Sequence, residues 1–160
     1  MNTEEILVLA EQIVKAWNWT AEVSRPQPNQ LNVNIPNIEE FVPIVVGLRV
    51  KRLGYLSAIV GLDLGPQADQ LEVLYYFCEQ NSAIVLRVQI PRENANLPSL
   101  CEIIPSAEVF ERELREMFGI EIVGLKTIEH LYLPEDWPDG VFPMRKDTDL
   151  TAVPVQVEKV

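Results

Sequence analysis

Apolar residues recur at helical spacing at the start of the chain, where Ile6, Leu9, Ala10, Ile13, Val14 and Trp17 follow Thr3, a residue able to cap a helix. The spacing predicts a helix over residues 3–17 whose apolar face packs on something flat. Beyond Pro26 and Pro28 the period drops to two, because Leu31, Val33 and Ile35 alternate with Asn32 and Asn34. Residues 19–24 and 31–35 are therefore expected to pair as a hairpin. A second helix is predicted over residues 38–53, with Asn37 as cap, Glu39 and Glu40 in the first turn, Arg49, Lys51 and Arg52 near the end, and Gly54 as stop. Pro43 and Gly47 should make it irregular. Residues 55–64, 71–79 and 82–90 are rich in branched and aromatic side chains and are separated by GPQADQ and QN turns, which predicts an antiparallel meander. Residues 91–105 read as a connector. Ser106 is the expected cap of a third helix, which Gly119 ends in a left-handed conformation.

Helix, two strands, helix, three strands, helix is the order of a two-layer α+β domain: a mixed or antiparallel sheet of about five strands, covered on one face by helices. With 160 residues, 48% of them hydrophobic, the chain fits a single core. The domain is expected to span residues 1–133. From Pro134 onward, Pro138, Pro143, Pro154 and Gly140 predict an extended arm over residues 134–160, with a turn at 138–140. Trp137, Val141, Phe142 and Met144 are apolar groups on this arm with no helix or strand of their own to bury them. Either they fold back on the domain, or they dock on a partner chain with Arg145 or Lys146 pairing carboxylates across the contact. Trp137 and Arg145 are residue types common as interface anchors, which suits the second reading.

Charge and chemistry then narrow the possibilities. A net charge of −11 leaves no basic face for nucleic acid and disfavours anionic lipid. The longest apolar stretch, residues 41–48, is broken by Pro43 and Gly47 and falls short of the roughly 20 residues a spanning helix needs. The start, MNTEEILVLAEQ, is acidic where a signal peptide is basic, which predicts an intracellular protein. Cys78, Cys101 and the single histidine, His130, cannot supply an iron–sulfur cluster or an ordinary zinc site. Both cysteines are expected as core or partly exposed thiols, and His130 as a solvated or strand-face residue. Neither a GxGxxG nor a GxxxxGK[ST] is present, so no metal, catalytic or cofactor-binding residue is assigned.

The third helix is the most demanding element. At about 100° per residue, Val109, Glu113, Met117, Phe110, Leu114 and Phe118 form one continuous stripe, which sets Glu113 inside the apolar face. A buried carboxylate needs a partner or must neutralise. Glu113 is expected to pair with Arg145 or a backbone amide in a structural role, the alternative being a proton-relay group. Glu111, Arg112, Arg115 and Glu116 fall on the opposite side, where pairs four apart predict a solvated charged face or an interface network.

The block ERELREMFGIEIVGLKTIEHLYLPEDWPDGVFPMRKD resembles the signature of the 30 kDa subunit family of respiratory complex I, the NADH-quinone oxidoreductase. The matching residues are Glu111, Arg112, Glu113 and Glu116; Phe118, Gly119 and Ile120; and Pro134, Asp136, Trp137, Pro143, Arg145, Lys146 and Asp147. Leu125 and Glu129 stand where the respiratory members usually carry histidine and arginine, and WPDGVFPMRKD is similar to relatives in membrane-bound, energy-converting [NiFe] hydrogenases and formate hydrogenlyase. The resemblance implies a non-catalytic accessory subunit without a cofactor of its own, packed against a large subunit and neighbouring iron–sulfur subunits, and it favours docking of the arm from Pro134 onward on that large subunit over fold-back. Those partners would hold the iron–sulfur clusters and the nickel–iron centre or flavin. It also implies a peripheral position on the cytoplasmic face of the cell membrane. Two other readings of the residues are a small hydrolase using Glu113 with Glu116 or Asp147 as acid and base, and a homo-oligomeric binding module.

Overall fold

A computed structural model describes residues 1–16 and 19–153. Helix α1, Thr3–Lys15, is capped one residue earlier than predicted: the Asn2 side chain accepts from the Glu5 amide at 2.9 Å, and the Glu5 carboxylate accepts from the Asn2 amide at 2.8 Å. This reciprocal box satisfies two amides that a helix start otherwise leaves open. Trp17, the predicted end of this helix, lies outside the described residues, as does Pro154 of the arm.

The hairpin is β1, Glu22–Gln27, against β2, Gln30–Ile35. Its first strand lies later than predicted and contains Pro26. A proline is tolerated there because β1 is an edge strand whose register shifts between Ser24 and Gln27. A 3-10 turn, Ile38–Glu40, leads into α2, Phe41–Val50, and Asn37 accepts from the Glu39 amide at 3.1 Å. Pro43 falls in the first turn of α2, where its missing N–H would have had no helical partner. The stop is Arg52 rather than Gly54. Arg52 takes the left-handed conformation at φ 54, its amide donates to Arg49 O, and the Leu53 amide donates to Leu48 O at 2.9 Å.

The meander follows as β3, Tyr55–Asp63, β4, Gln70–Glu79, and β5, Ser82–Pro91. The five-stranded sheet has the order β1-β2-β5-β4-β3; its β2–β5 pair is parallel and the others antiparallel, so it is mixed. Register carries the inward residues across the sheet in rows, such as Val33, Leu86, Tyr75 and Ile59. All three helices lie on this face. Phe41 of α2 packs on Tyr75 with the rings tilted by 45° and 4.5 Å between centroids, and a Cβ on Gly61 would come within 2.5 Å of the Phe118 ring. The α1 face (Ile6, Leu7, Ala10, Ile13 and Val14) is buried in the same core, each large aliphatic contributing about 1.5–3 kcal/mol.

Residues 91–105 are more than a connector. Within them β6, Asn96–Pro98, pairs in parallel with β7, Glu121–Val123, and Leu97, Leu100 and Ile104 join the core. Helix α3, Ala107–Phe118, starts without a side-chain cap from Ser106; turns Ala107 N→Ile104 O at 2.9 Å and Glu108 N→Pro105 O at 3.3 Å lead into it. Gly119 ends it at φ 67, as predicted.

Candidate functional site: the signature helix and its arm

The buried line of α3 is Ala107, Glu111, Leu114 and Phe118, so the helix is rotated from the predicted stripe. Val109 is exposed and Glu113 half-buried, whereas Glu111 is 1% and Glu116 6% exposed. The expectation that Glu113 is the buried carboxylate, paired with Arg145 or an amide, is therefore corrected. Hydropathy counted Glu111 as polar, but loop residues brought over by β6 give it partners. Its carboxylate accepts from the Leu100 amide at 2.6 Å, Ser99 Oγ at 2.6 Å and Cys101 Sγ at 3.1 Å. Burial, together with the Glu111 charge, pushes the Cys101 thiol above its ordinary value. Burial, and then the same charge, raises the Tyr75 hydroxyl as well.

The other side of α3 is not solvated either, because residues 128–133 lie across it. Arg115 donates to Ile128 O at 2.5 Å, and Arg112 to Glu129 O and His130 O at 3.1 Å each. The Leu131 and Tyr132 amides donate to the Glu116 carboxylate at 2.9 and 2.8 Å, with His130 Nδ1 at 3.3 Å. Burial pushes the Glu116 carboxyl up, but the amides of Leu131, Tyr132 and Leu133 outweigh it and hold the group below the usual carboxylate range. Helical spacing shows that Arg112, Arg115 and Glu116 share a side; it cannot show that a later segment of backbone covers them.

Beyond residue 134 the arm returns to the domain. Trp137 donates through Nε1 to Val141 O at 2.8 Å, and the Met144 amide donates to Met117 O at 3.1 Å. Arg145, expected to pair a partner's carboxylate, donates instead to Phe118 O at 2.7 Å and Arg92 O at 3.2 Å, with its guanidinium 5.1 Å from the Phe142 ring centroid. The Lys146 amide donates to Asp63 Oδ2 at 2.8 Å. Arg92, buried, joins Asp63 at 3.1 Å to Asp147, and this bond holds the Asp147 carboxyl below its ordinary value. Burial and the nearby Arg92 cation lower Arg145. The ring of Phe142 lies so close to Gly119 that a Cβ there would be 2.3 Å from it, which gives the glycine a second reason beyond its φ. Val141, Phe142 and Trp137 are half-buried and Met144 is exposed.

What the arrangement does chemically is hold backbone. Glu111, Glu116 and Asp63, and likewise Glu40 with the Thr20 and Ala21 amides, are shielded carboxylates that accept from amides of distant segments. The proposed acid–base pairing does not form, since Glu116 is occupied by amides and Asp147 by Arg92. Among the described residues no three His, Cys, Asp or Glu side chains converge as a metal site, and no helix is long and apolar enough to cross a membrane. A cleft of about 270 Å³ remains between the end of α3 and the arm, lined by Glu116, Gly119, His130, Trp137 and Phe142 among others.

The chain is similar to known proteins over most of its described length. The chain is 32% identical over 123 residues to formate hydrogenlyase subunit 5 of Escherichia coli, a match covering 75% of this chain and 21% of that protein. This chain thus spans about a fifth of that relative. Identity to the membrane-bound hydrogenase subunit beta of Pyrococcus furiosus is 28% over 158 residues, covering 94% of this chain and 83% of the relative. Identity to a subunit of the NADH-quinone oxidoreductase of Roseiflexus sp. is 35% over 103 residues, 63% and 58% of the two chains. Among solved structures, a chain of the membrane-bound sulfane sulfur reductase, an archaeal respiratory membrane complex, superposes with a TM-score of 0.74 at 25% identity, covering 94% of this chain and 88% of that one. The model of the respiratory-chain NADH dehydrogenase 30 kDa subunit matches residues 35–154, from the end of β2 into the arm, and the chain belongs to that family.

Proposed function

We propose that the chain is a structural subunit, without chemistry of its own, in the peripheral arm of a membrane-bound redox complex of the NADH dehydrogenase or energy-converting hydrogenase type. It docks on the large subunit of that complex and lies at the membrane through its partners, on the cytoplasmic face. Family membership and the relatives' names support the complex. The observation that carries the structural role is that five of the signature's ionic groups are used within the chain: Glu111, Arg112, Glu116, Arg145 and Asp147 all bond its own backbone or side chains. Such a residue set fixes shape. Electron transfer along a chain of clusters depends on fixed distances, so a rigid brace influences turnover without holding an electron. The clusters, and the nickel–iron centre or flavin, then belong to partner subunits.

The test is to tag the chain in its own organism, solubilise the membranes gently and identify what co-purifies by mass spectrometry. A large subunit with paired-cysteine nickel motifs is expected for a hydrogenase-type complex, and one without them for a quinone-reducing complex. Recovery of the chain alone from the soluble fraction refutes the proposal. So does a stoichiometric metal or flavin in the purified chain.

A further inference from the structure

We propose that the outer edge of β3, along residues 58–63, is where a partner subunit of the complex adds an uncharged extended strand. The two edges of the sheet are built differently. Strand β1 carries Glu22, Arg25, Pro26 and a register shift, the devices that keep an edge from pairing with another chain. Strand β3 has no proline and no charge from Tyr55 to Leu62; its one register shift, between Leu56 and Ala58, leaves the run from Ala58 to Asp63 regular. Among the described residues no backbone hydrogen bond joins β3 to anything but β4. A row of main-chain donors and acceptors of this kind is completed by another strand.

The side chains beside that edge suit the same occupant. Tyr55, Val60 and Leu62 are 63%, 39% and 41% exposed on a strand that alternates them with core residues. Register sets Val60 beside Leu74 and Ala58 beside Tyr76 on the face that no helix covers. This apolar, uncharged band belongs to a chain of net charge −11, so two copies meeting there would bring like charges together, whereas a neutral segment of another protein would not. The band is also continuous with the arm: Asp63, the last residue of β3, holds the Lys146 amide, and Leu64 beside it is exposed. The occupant is thus placed on the subunit on which the chain docks, and the inference rests on that docking reading.

The experiment uses the tagged full-length chain in its own complex, with Val60→Lys/Leu62→Lys. Both side chains face solvent, so the isolated variant should melt like wild type, which circular dichroism checks. The expected result is at least a tenfold loss of co-purified partner, together with amides 58–63 of the wild-type chain exchanging at least tenfold more slowly in the complex than in the isolated chain. Undiminished partner recovery with unchanged exchange at 58–63 overturns the inference while the docking reading stands. A wild-type chain that recovers no partner overturns both. A stable homodimer that protects 58–63 assigns the edge to a second copy and overturns it too.

Discussion

Replacing Glu111 separates the structure's account of α3 from the one its hydrophobic stripe suggests. Glu111→Ala removes the acceptor for the buried Leu100 amide and for Ser99 Oγ, and it leaves space beside Leu114 in the core. Each donor left buried without a partner costs about 1–3 kcal/mol, and the lost hydrogen bonds were charge-assisted. The expected loss is about 3–5 kcal/mol. In a domain of this size each kcal/mol moves the melting midpoint by about 2–4 °C, so the midpoint should fall by roughly 6–20 °C. Glu111→Gln retains the volume and one acceptor oxygen, and it should lose about 1–2 kcal/mol. Glu113→Ala, on the same helix but half-buried and with no hydrogen bond or ion pair among the described residues, should stay within about 0.5 kcal/mol of wild type. Urea unfolding followed by circular dichroism gives the three values, and hydrogen exchange at Leu100 reports the freed amide. The reasoning is refuted if Glu113→Ala costs as much as Glu111→Ala, or if the Leu100 amide stays protected when Glu111 is gone.

Other outcomes follow from the same contacts. Arg92→Ala leaves Asp63 charged, buried and without its cation, so it should cost about 3–5 kcal/mol and make trypsin cut rapidly after Arg145 or Lys146 in the released arm; an arm equally resistant in the variant counts against this role for Arg92. Gly119→Ala meets both a left-handed φ and the Phe142 ring, and a loss of about 1–3 kcal/mol is expected. Adding Phe142→Ala should remove the steric part and leave the backbone part, giving a non-additive double-mutant cycle by urea unfolding. The depressed Glu116 carboxyl stabilises the 128–133 clasp at any pH above the unfolded-state value of about 4.3, and the contribution is lost as pH falls through the lower folded value. In His130→Gln, where no imidazole adjoins the carboxylate, the NMR shifts of the Leu131 and Tyr132 amides should therefore be flat from pH 7 to about 5 and titrate only in more acid solution; a midpoint above pH 5 contradicts the assignment.

The sequence by itself determined the elements whose signals are local. Period-two alternation located β2, the branched and aromatic runs located β3 to β5, and a glycine able to adopt positive φ marked the end of α3. The ordered residues from Glu111 to Asp147 also identified the family, because so many specific positions in one block do not recur by composition alone. Tertiary structure decided which of those residues are buried and what they bond. Periodicity assigns a face by averaging hydropathy, so it ranked Glu113 above Glu111; only the return of residues 99–101 and 128–133 to α3 gives Glu111 and Glu116 the amides that offset the cost of their burial. The same holds for β6 and β7, three residues each and paired across 25 positions from Asn96 to Glu121, too short to show a period. The arm's direction was likewise a contest between its own backbone amides and a partner's surface. Asp63 and Arg92, on and just beyond the sheet, settled the course of residues 145–147 by offering a buried carboxylate and guanidinium that no local pattern in the arm could reveal.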